Sequence, residues 1–268
     1  MKRLSGASPG YIVPSRSLTI LGSSSGMPQA DRATSGYLLK TGDELSLIDC
    51  GGGICSSFLR RGFDPLQVRR VFISHTHADH VIELPLFIQM VYLSGRTEPL
   101  DVYLPSEFVR PFRAYLPALY LFPEKLPFLL NLTGYEAGKV FEGTFTLTAI
   151  ENKHLVGHHE LIQRLNLPNR MQCHSMLVEV AGKSLFYSAD VGSFDDIKPY
   201  LGGRDIVVTE TTHLDLDDFL SYMAAIGTGQ LVVSHLGSGS EVARINSLAN
   251  KMGVDNLVAA VDGLELPF

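Results

Sequence analysis

The sequence has few cysteines, no long apolar run and no excess of positive charge. Its 268 residues include three cysteines, Cys50, Cys55 and Cys173, an odd number without paired spacing. This pattern argues against a disulfide framework and favours a reduced, cytoplasmic compartment, with Cys50 expected to be a buried thiol. Because no apolar run reaches the length of a membrane span, we expect no membrane partner.

The overall charge gives no support to a nucleic-acid partner. A net charge of −6 provides no broad attraction to phosphate backbones or anionic lipids, although it leaves a local basic patch open. Segment 1–14 carries two basic residues followed by Ser, Gly and Pro, so we expect neither a signal peptide nor an anchor there. The length fits one large domain, which we expect to span residues 1–268.

The apolar pattern predicts a chain that mixes strands and helices. Helical spacing marks the segments 54–61, 82–93, 106–115, 217–226 and 241–252, with Ser106 expected to cap its helix. Hairpin turns at 41–43 and around 181–183 flank a region of alternating strands and helices. This order favours two facing mixed sheets with helices on both outer faces, an α+β sandwich of four layers, αββα. The predicted strands are the β-branched runs 18–21, 37–39, 45–48, 71–73, 102–104, 145–150, 176–180, 185–187, 206–208, 231–233 and 257–261.

Four potential metal ligands follow the predicted strand 71–74 directly. They are His75, His77, Asp79 and His80, and they include three of the nine histidines of the chain. A loop held by a sheet can aim several side chains at one point, and imidazole with carboxylate is the ligand set of a catalytic zinc-type ion. This segment therefore predicts part of a metal site, and a solvated polar loop is the weaker interpretation.

The run His75-Thr76-His77-Ala78-Asp79-His80 resembles the H-x-H-x-D-H motif of the metallo-β-lactamase superfamily. In that superfamily, three further ligands follow in order, and this chain offers His154, Asp190 and His235, each just past a predicted strand. The resemblance implies a four-layer metallo-β-lactamase-like fold and two divalent ions, zinc by default, with manganese or iron also compatible with these ligands. It assigns His75, His77 and His154 to one ion and Asp79, His80 and His235 to the other. Asp190, whose carboxylate has two oxygens, would bridge the ions together with a hydroxide, and His158, His159 and His174 remain alternatives to His154.

Several segments are similar to the ribonuclease Z-like branch of this superfamily. They are Ile20 to Pro28, Leu47 to Gly51 and Glu83 to Pro85. The H-E-A-T motif of that branch becomes Thr209-Glu210-Thr211-Thr212, with His213 just beyond. The resemblance implies that Glu210, His213 or metal-bound water protonates the leaving group and that Asp79 orients the nucleophile. His213 would replace the missing histidine of the motif from a shifted position, and an ordinary loop histidine is the alternative.

The sequence departs from that branch where tRNA would bind. The P-x-K-x-R-N loop is here Pro28 to Ala33, which keeps the proline and arginine but lacks the lysine and asparagine. Segment 178–186 is a tight hairpin instead of a long arm, and the insertion 161–172 carries only Arg164 and Arg170 as basic residues. Affinity for tRNA depends on many phosphate contacts, so tRNA is poorly supported as a substrate.

These patterns together predict a binuclear metal-dependent hydrolase, most simply a phosphodiesterase whose nucleophile is a metal-bridging hydroxide. The partner would be a small-molecule or short phosphodiester substrate. The aromatic stretch 115–128 allows a homodimer contact. Lactone, thioester or sulfate-ester hydrolysis is the alternative, followed by tRNA 3′-processing endoribonuclease activity and, last, a non-catalytic metal-binding scaffold. True β-lactamases lack the bridging aspartate, so Asp190 argues against that activity.

Overall fold

The structure is a computed structural model, and it describes residues 16–268. The expectation for segment 1–14, that it holds no signal peptide or anchor, falls outside these residues. Within the described part, every helix is too short or too polar to cross a membrane.

The first sheet has seven strands in the order β14-β1-β2-β3-β4-β5-β6. Strands β1 to β3 pair antiparallel through hairpins, whereas β3 to β6 run parallel, so the sheet is mixed. Its strands are β1 (Arg16–Gly22), β2 (Gly36–Thr41), β3 (Glu44–Ile48), β4 (Val68–Phe72), β5 (Leu100–Pro105), β6 (Leu130–Tyr135) and β14 (Glu265–Pro267).

The second sheet also has seven strands, in the order β13-β12-β11-β10-β9-β8-β7. Strands β7 to β10 pair antiparallel and β10 to β13 run parallel. Its strands are β7 (Gly138–Glu142), β8 (Thr146–Glu151), β9 (His174–Val180), β10 (Lys183–Tyr187), β11 (Ile206–Thr209), β12 (Gln230–Val233) and β13 (Leu257–Ala259).

Three apolar cores hold the layers together. The central core joins the two sheets, with Ile20, Tyr37 and Phe72 from the first sheet packed among Val178 and Val208 from the second. The two outer cores pack α1, α3 and α4 on the first sheet and α6 and α7 on the second. The predicted four-layer αββα sandwich is confirmed. The helices are α1 (Ile54–Arg60), α2 (Ala78–Val81), α3 (Leu84–Leu93), α4 (Ser106–Ala118), α5 (His159–Leu165), α6 (Leu216–Ile226) and α7 (Gly239–Met252).

The sequence pattern missed five elements, α2, α5, β6, β7 and β14, and one cap was wrong. Strands β6 and β7 lie at sheet edges, where most of their side chains are partly exposed, so they lack the continuous apolar signal of buried strands. Strand β14 has three residues, and α5 has no buried residue. The expected cap at Ser106 is wrong, because its hydroxyl donates to the carbonyl of Tyr135 at 2.9 Å instead of capping α4.

Candidate metal centre

The strand ends position the seven predicted ligands. His75, His77, Asp79 and His80 lie where β4 leaves the first sheet and passes through a short loop into α2. The other three follow strands of the second sheet: His154 comes after β8, Asp190 after β10 and His235 after β12. Because the sheets face each other across the central core, these strand ends meet at one edge of the sandwich.

The structure brings all seven side chains together in two groups. His75, His77, His154 and Asp190 form one group, and Asp79, His80, His235 and Asp190 form the other. Within each group, the candidate ligand atoms all lie within 4.8 Å of one another. The division matches the assignment that the resemblance implied, with Asp190 shared, although whether these residues bind metal remains a prediction.

The two oxygens of Asp190 face different groups. Its Oδ2 lies 3.6 Å from Nε2 of His154 and 3.9 Å from Nε2 of His75. Its Oδ1 lies 3.2 Å from Nε2 of His80 and 3.4 Å from Nε2 of His235. Ligands about 2.0–2.1 Å from a tetrahedral zinc ion are separated from one another by about 3.3–3.4 Å, so these spacings fit one ion on each side of the carboxylate.

Two of these atoms are buried without a hydrogen bond. They are Nε2 of His75 and Oδ1 of Asp190. An unsatisfied buried polar atom costs about 1–3 kcal/mol, so a cluster of them at one point is unfavourable unless another group completes it. A pair of divalent cations would do so, and the donor set of imidazole nitrogen and carboxylate oxygen fits zinc, manganese or iron.

The protonation states of the histidines in the first group suit metal binding. Burial lowers the pKa of His75 well below its usual range, and burial also lowers the pKa of His77 and of His154. These imidazoles are therefore neutral, which is the form that binds a metal. Burial alone would raise the pKa of Asp190, but the surrounding histidines, His80 foremost, hold it well below the usual range.

His80 differs because it lies between two carboxylates. Burial alone would lower its pKa, but Asp190 and Asp49 together raise that pKa well above the usual range. Positive charge is therefore favoured at this position. A metal cation on Nε2 would supply that charge in place of a proton.

Asp49 is the supporting residue whose role sequence reasoning missed. This fully buried carboxylate accepts hydrogen bonds from the backbone N–H of Ser74 (2.7 Å), the hydroxyl of Ser74 (2.8 Å), Nδ1 of His80 (2.8 Å) and the hydroxyl of Tyr187 (2.7 Å). It thereby fixes the orientation of His80 and the start of the ligand loop. One feature of the sequence could have indicated this role. Asp49 is a carboxylate at the end of the apolar strand β3, where a buried charge needs several hydrogen-bond partners.

Gly51 allows the loop after β3 to approach the ligand loop closely. A methyl group at this position would lie 1.9 Å from the carbonyl oxygen of Asp79 and 2.3 Å from Oγ1 of Thr34. The Gly51→Ala variant is expected to lose about 1–3 kcal/mol of folding free energy, because the two loops must separate. Urea denaturation and metal content of the purified variant would measure the effect.

Gly52→Ala is the matched control for this substitution. A methyl group at Gly52 would have its nearest neighbour at 3.7 Å, an ordinary contact, so stability should change by less than about 0.5 kcal/mol. Equal stability of the two variants would contradict the close approach at Gly51.

Glu210 and His213 form a pair beside the first group. Glu210 is buried, and its carboxylate accepts hydrogen bonds from the backbone N–H of His213 at 3.0 Å and from Nδ1 of the same residue at 2.9 Å. The ring of His213 packs against that of His154, with centroids 4.8 Å apart. The hydrogen bond to Glu210 raises the pKa of His213 above its usual value, against the effect of burial. The structure therefore places both residues next to the predicted ligands.

The alternative histidines lie farther from the centre. His158 packs its ring 6.1 Å from that of His77, and His159 is exposed at the start of α5. His174 is buried against the ring of Tyr135. Neither of the two ligand groups found among the described residues includes any of the three, which favours His154.

Solved structures share this architecture. The metallo-beta-lactamase fold protein YhfI from Bacillus subtilis superposes with a TM-score of 0.74 over 93% of this chain and 98% of its own, at 20% identity. A diphosphatase of the PhnP family gives a TM-score of 0.69 over 94% of this chain and 98% of its own, at 16% identity. At such identities the likeness shows the fold, and the chain has the metallo-β-lactamase fold.

Sequence comparison identifies the family to which the chain belongs. A family model described as "Anti-Pycsar protein Apyc1" matches residues 16–213, about three quarters of the chain, and the chain belongs to this family. It is also similar to ribonuclease Z of Methanothermobacter thermautotrophicus, with 40% identity over 88 residues. That match covers 33% of this chain and 29% of the length of the relative. The predicted ribonuclease Z-like resemblance within the metallo-β-lactamase superfamily is confirmed.

Proposed function

We propose that this chain is a binuclear metal-dependent phosphodiesterase. The observation that carries the proposal is the position of Asp190, whose two oxygens each face one of the two ligand groups. A carboxylate placed in this way can hold two cations side by side. The ligands would be His75, His77 and His154 for one ion and Asp79, His80 and His235 for the other, with Asp190 common to both.

A bound pair of divalent cations would lower the pKa of a shared water and neutralise the group that the water attacks. The residues of the chain would orient both partners of the reaction. Oδ2 of Asp79 lies 3.2 Å from Nε2 of His235 and 3.5 Å from Nε2 of His80, so Asp79 is held at the point where it can accept a hydrogen bond from the attacking water. In the reaction, an oxygen–phosphorus bond forms, the ester bond breaks and the alcohol departs.

The departing oxygen needs a proton, and His213 is the residue placed to give it. With Nδ1 bound to Glu210, its Nε2 is the nitrogen left to donate. About a third of the His213 side chain is exposed, at 36%, so a substrate could reach it. Glu210 acts as a positioning residue that keeps His213 protonated and oriented.

The variant His213→Ala is expected to slow hydrolysis of an alkyl phosphodiester by about 10²-fold, which is the usual contribution of a general acid. Bis(p-nitrophenyl) phosphate should be affected little, because nitrophenolate leaves without a proton. Comparing kcat for the two substrates in the same variant provides the internal control. An equal loss on both would assign His213 a structural role.

The pH profile tests the role of Glu210. The hydrogen bond that His213 donates to Glu210 raises the pKa of His213, so the proton donor is present below that pKa and is lost as the pH rises through it. In Glu210→Gln, the main cause of the raised pKa is removed. The basic limb of kcat for an alkyl substrate should therefore move to lower pH, and an unchanged basic limb would count against the pairing.

A phosphodiester substrate is favoured over the other esters by the relatives. The matched sequence relative is named ribonuclease Z, and one structural neighbour is a diphosphatase, both enzymes that act on phosphorus–oxygen bonds. Lactone, thioester or sulfate-ester hydrolysis remains the second candidate, since the same pair of cations would activate water towards any of them.

A tRNA substrate is disfavoured by the short insertion. Strands β9 and β10 form a tight hairpin, and the segment around α5 offers only Arg164 and Arg170. The guanidinium of Arg170 already pairs with Glu136 at 2.9 Å, which leaves little free positive charge to bind phosphates. The cytoplasmic location and the homodimer remain predictions.

The experiment is a panel of substrates offered to the zinc-loaded protein. We expect release of nitrophenol from bis(p-nitrophenyl) phosphate, loss of that activity with a chelator, and its recovery when zinc or manganese is restored. Turnover of lactones or thioesters alone would move the assignment to the second candidate. Two bound equivalents of metal without turnover of any ester would support a non-catalytic scaffold.

A further inference from the structure

A cavity opens beside the metal centre, on the side of His77. Its volume is about 380 Å³, within the range of small-molecule sites. Thr76 and His77 are among its lining residues, so an occupant of the cavity would lie next to the first ligand group. The wall farther from the centre comes from the insertion after β8, which the proposed reaction does not use.

Most of the cavity wall is apolar. Five of the ten lining residues carry apolar side chains: Leu155, Leu161, Ile162, Leu167 and Met171. The other five lining residues are polar, namely Thr76, His77, Glu107, His158 and Asn169, and none of the described lining residues is Lys or Arg. A wall of this kind favours an uncharged, apolar group and offers nothing to a second phosphate.

Hydrogen bonds hold the part of the cavity wall that the insertion after β8 forms, before any ligand binds. The carboxylate of Glu107, near the start of α4, accepts hydrogen bonds from the backbone N–H of Arg170 and, at 2.7 Å, from that of Gln172. The side-chain oxygen of Gln172 in turn accepts a hydrogen bond from the backbone N–H of Glu107 at 2.8 Å. The segment that carries Leu167, Asn169 and Met171 is thus tied to the first sheet's helical layer. A preformed wall avoids the cost of ordering on binding.

His158 lines the cavity beside His77. Its ring stands perpendicular to that of His77, with centroids 6.1 Å apart and an interplanar angle of 87°. Two imidazoles and a layer of branched side chains present flat and apolar surfaces to an occupant. Aromatic rings pack favourably against both.

We infer that this cavity, called here the α5 pocket, is a specificity subsite that receives a flat, uncharged aromatic or heteroaromatic group carried by the phosphoryl substrate. The inference rests on the proposed metal centre, which would anchor the phosphoryl oxygens, while the α5 pocket selects the organic group. A polyanionic chain is disfavoured at this subsite because the wall has no cation to meet a further phosphate. The residues that set the preference are Leu161, Ile162, Leu167 and Met171.

Two leucines of α5 provide a matched pair of variants. Leu161 lines the pocket and Leu165, one helical turn later, does not, while both are exposed, at 42% and 55%. Neither belongs to a buried core, so tryptophan at either position should leave the fold intact. Leu161→Trp would fill the pocket, whereas Leu165→Trp would add the same side chain outside it. The chain has no tryptophan of its own, so each variant also carries a single fluorescent reporter.

The test is calorimetric titration of the zinc-loaded protein with phenylphosphonate and with methylphosphonate, two anions that differ only in the organic group. The unmodified chain is expected to bind phenylphosphonate about 10- to 100-fold more tightly, as burial of an aromatic ring implies. That preference should fall to within about threefold in Leu161→Trp and stay unchanged in Leu165→Trp. The tryptophan fluorescence should indicate a side chain packed inside the α5 pocket in Leu161→Trp but not in Leu165→Trp.

Every outcome of this experiment either supports or overturns the inference. A preference below threefold in the unmodified chain, or equal behaviour of the two tryptophan variants, would overturn it. If Leu161→Trp fails to fold, Leu161→Ala against Leu165→Ala asks the same question by enlarging the pocket, and only the former should weaken the phenyl preference. Titration does not depend on turnover, so the two proposals can fail separately. If the protein hydrolyses phosphodiesters but shows no phenyl preference, only the inference about the α5 pocket is rejected. Phenyl preference without hydrolysis would instead reject the proposed activity, and failure to bind either phosphonate would reject both.

Discussion

Asp190→Ala is expected to abolish phosphodiesterase activity, with a loss of at least about 10³-fold. The substitution removes both oxygens that lie between the two ligand groups, so neither group keeps its fourth member. Metal activation of water and neutralisation of the attacked group supply several kcal/mol, and each 1.36 kcal/mol corresponds to a factor of ten in rate. Activity towards bis(p-nitrophenyl) phosphate and bound metal per chain, measured by mass spectrometry, would give both effects.

The controls for this prediction are two histidine positions, one inside a ligand group and one outside both groups. His154→Ala should lose one equivalent of metal, because it belongs to a single group. His159→Ala, an exposed residue five positions on, should keep both equivalents and full activity. Two equivalents retained by His154→Ala would shift the third ligand to His158 or His174. An active, fully loaded Asp190→Ala variant would contradict the bridging role altogether.

Asp49→Asn carries the second large expected effect, although Asp49 belongs to neither group of candidate ligands. Its Oδ2 accepts from Nδ1 of His80, from the hydroxyl of Ser74 and from that of Tyr187. An amide in this position must either lose these charge-assisted bonds or place its own N–H against donors. We expect metal affinity to fall by about 10- to 100-fold, as for other groups that orient a ligand, and stability to fall by about 3 kcal/mol.

Tyr187→Phe is the matched control for Asp49→Asn. It deletes one of the bonds to the same carboxylate oxygen and keeps the charge, so it should cost about 1 kcal/mol and retain both metals. Urea denaturation and competition with a chromophoric chelator would compare the two variants. Equal losses would mean that the charge of Asp49 does not orient His80.

The sequence predicted the elements whose signal is local. The strands β1 to β5 and β8 to β13, the hairpin turns and the five amphipathic helices each give a signal in a few adjacent residues, and the fold prediction drawn from their order is confirmed. Edge strands such as β6 gave no such signal, because half-exposed strands lack a continuous apolar run. The cap at Ser106 failed because a tertiary contact, with Tyr135, took the hydroxyl instead.

The candidate site was predictable in composition but not in arrangement. The order of His and Asp along the chain named seven residues, and the structure brings them together, yet their function as ligands stays a prediction. The partners of Asp49 lie 25, 31 and 138 positions away in the chain, so no local pattern could have revealed them. The turn at the end of β10 was equally hidden, since Ala189 takes a left-handed conformation (φ 50°), a geometry that usually favours glycine.

The division of the seven residues between the two sheets has a further consequence. Four of them follow β4 in the first half of the chain, and three follow strands of the second sheet. On the proposed ligation, each cation joins the two halves, as a reversible cross-link would, and its binding energy adds to folding by mass action. Scarcity of metal would then loosen the sandwich as well as stop the chemistry, so the melting temperature of this chain should follow the free zinc concentration.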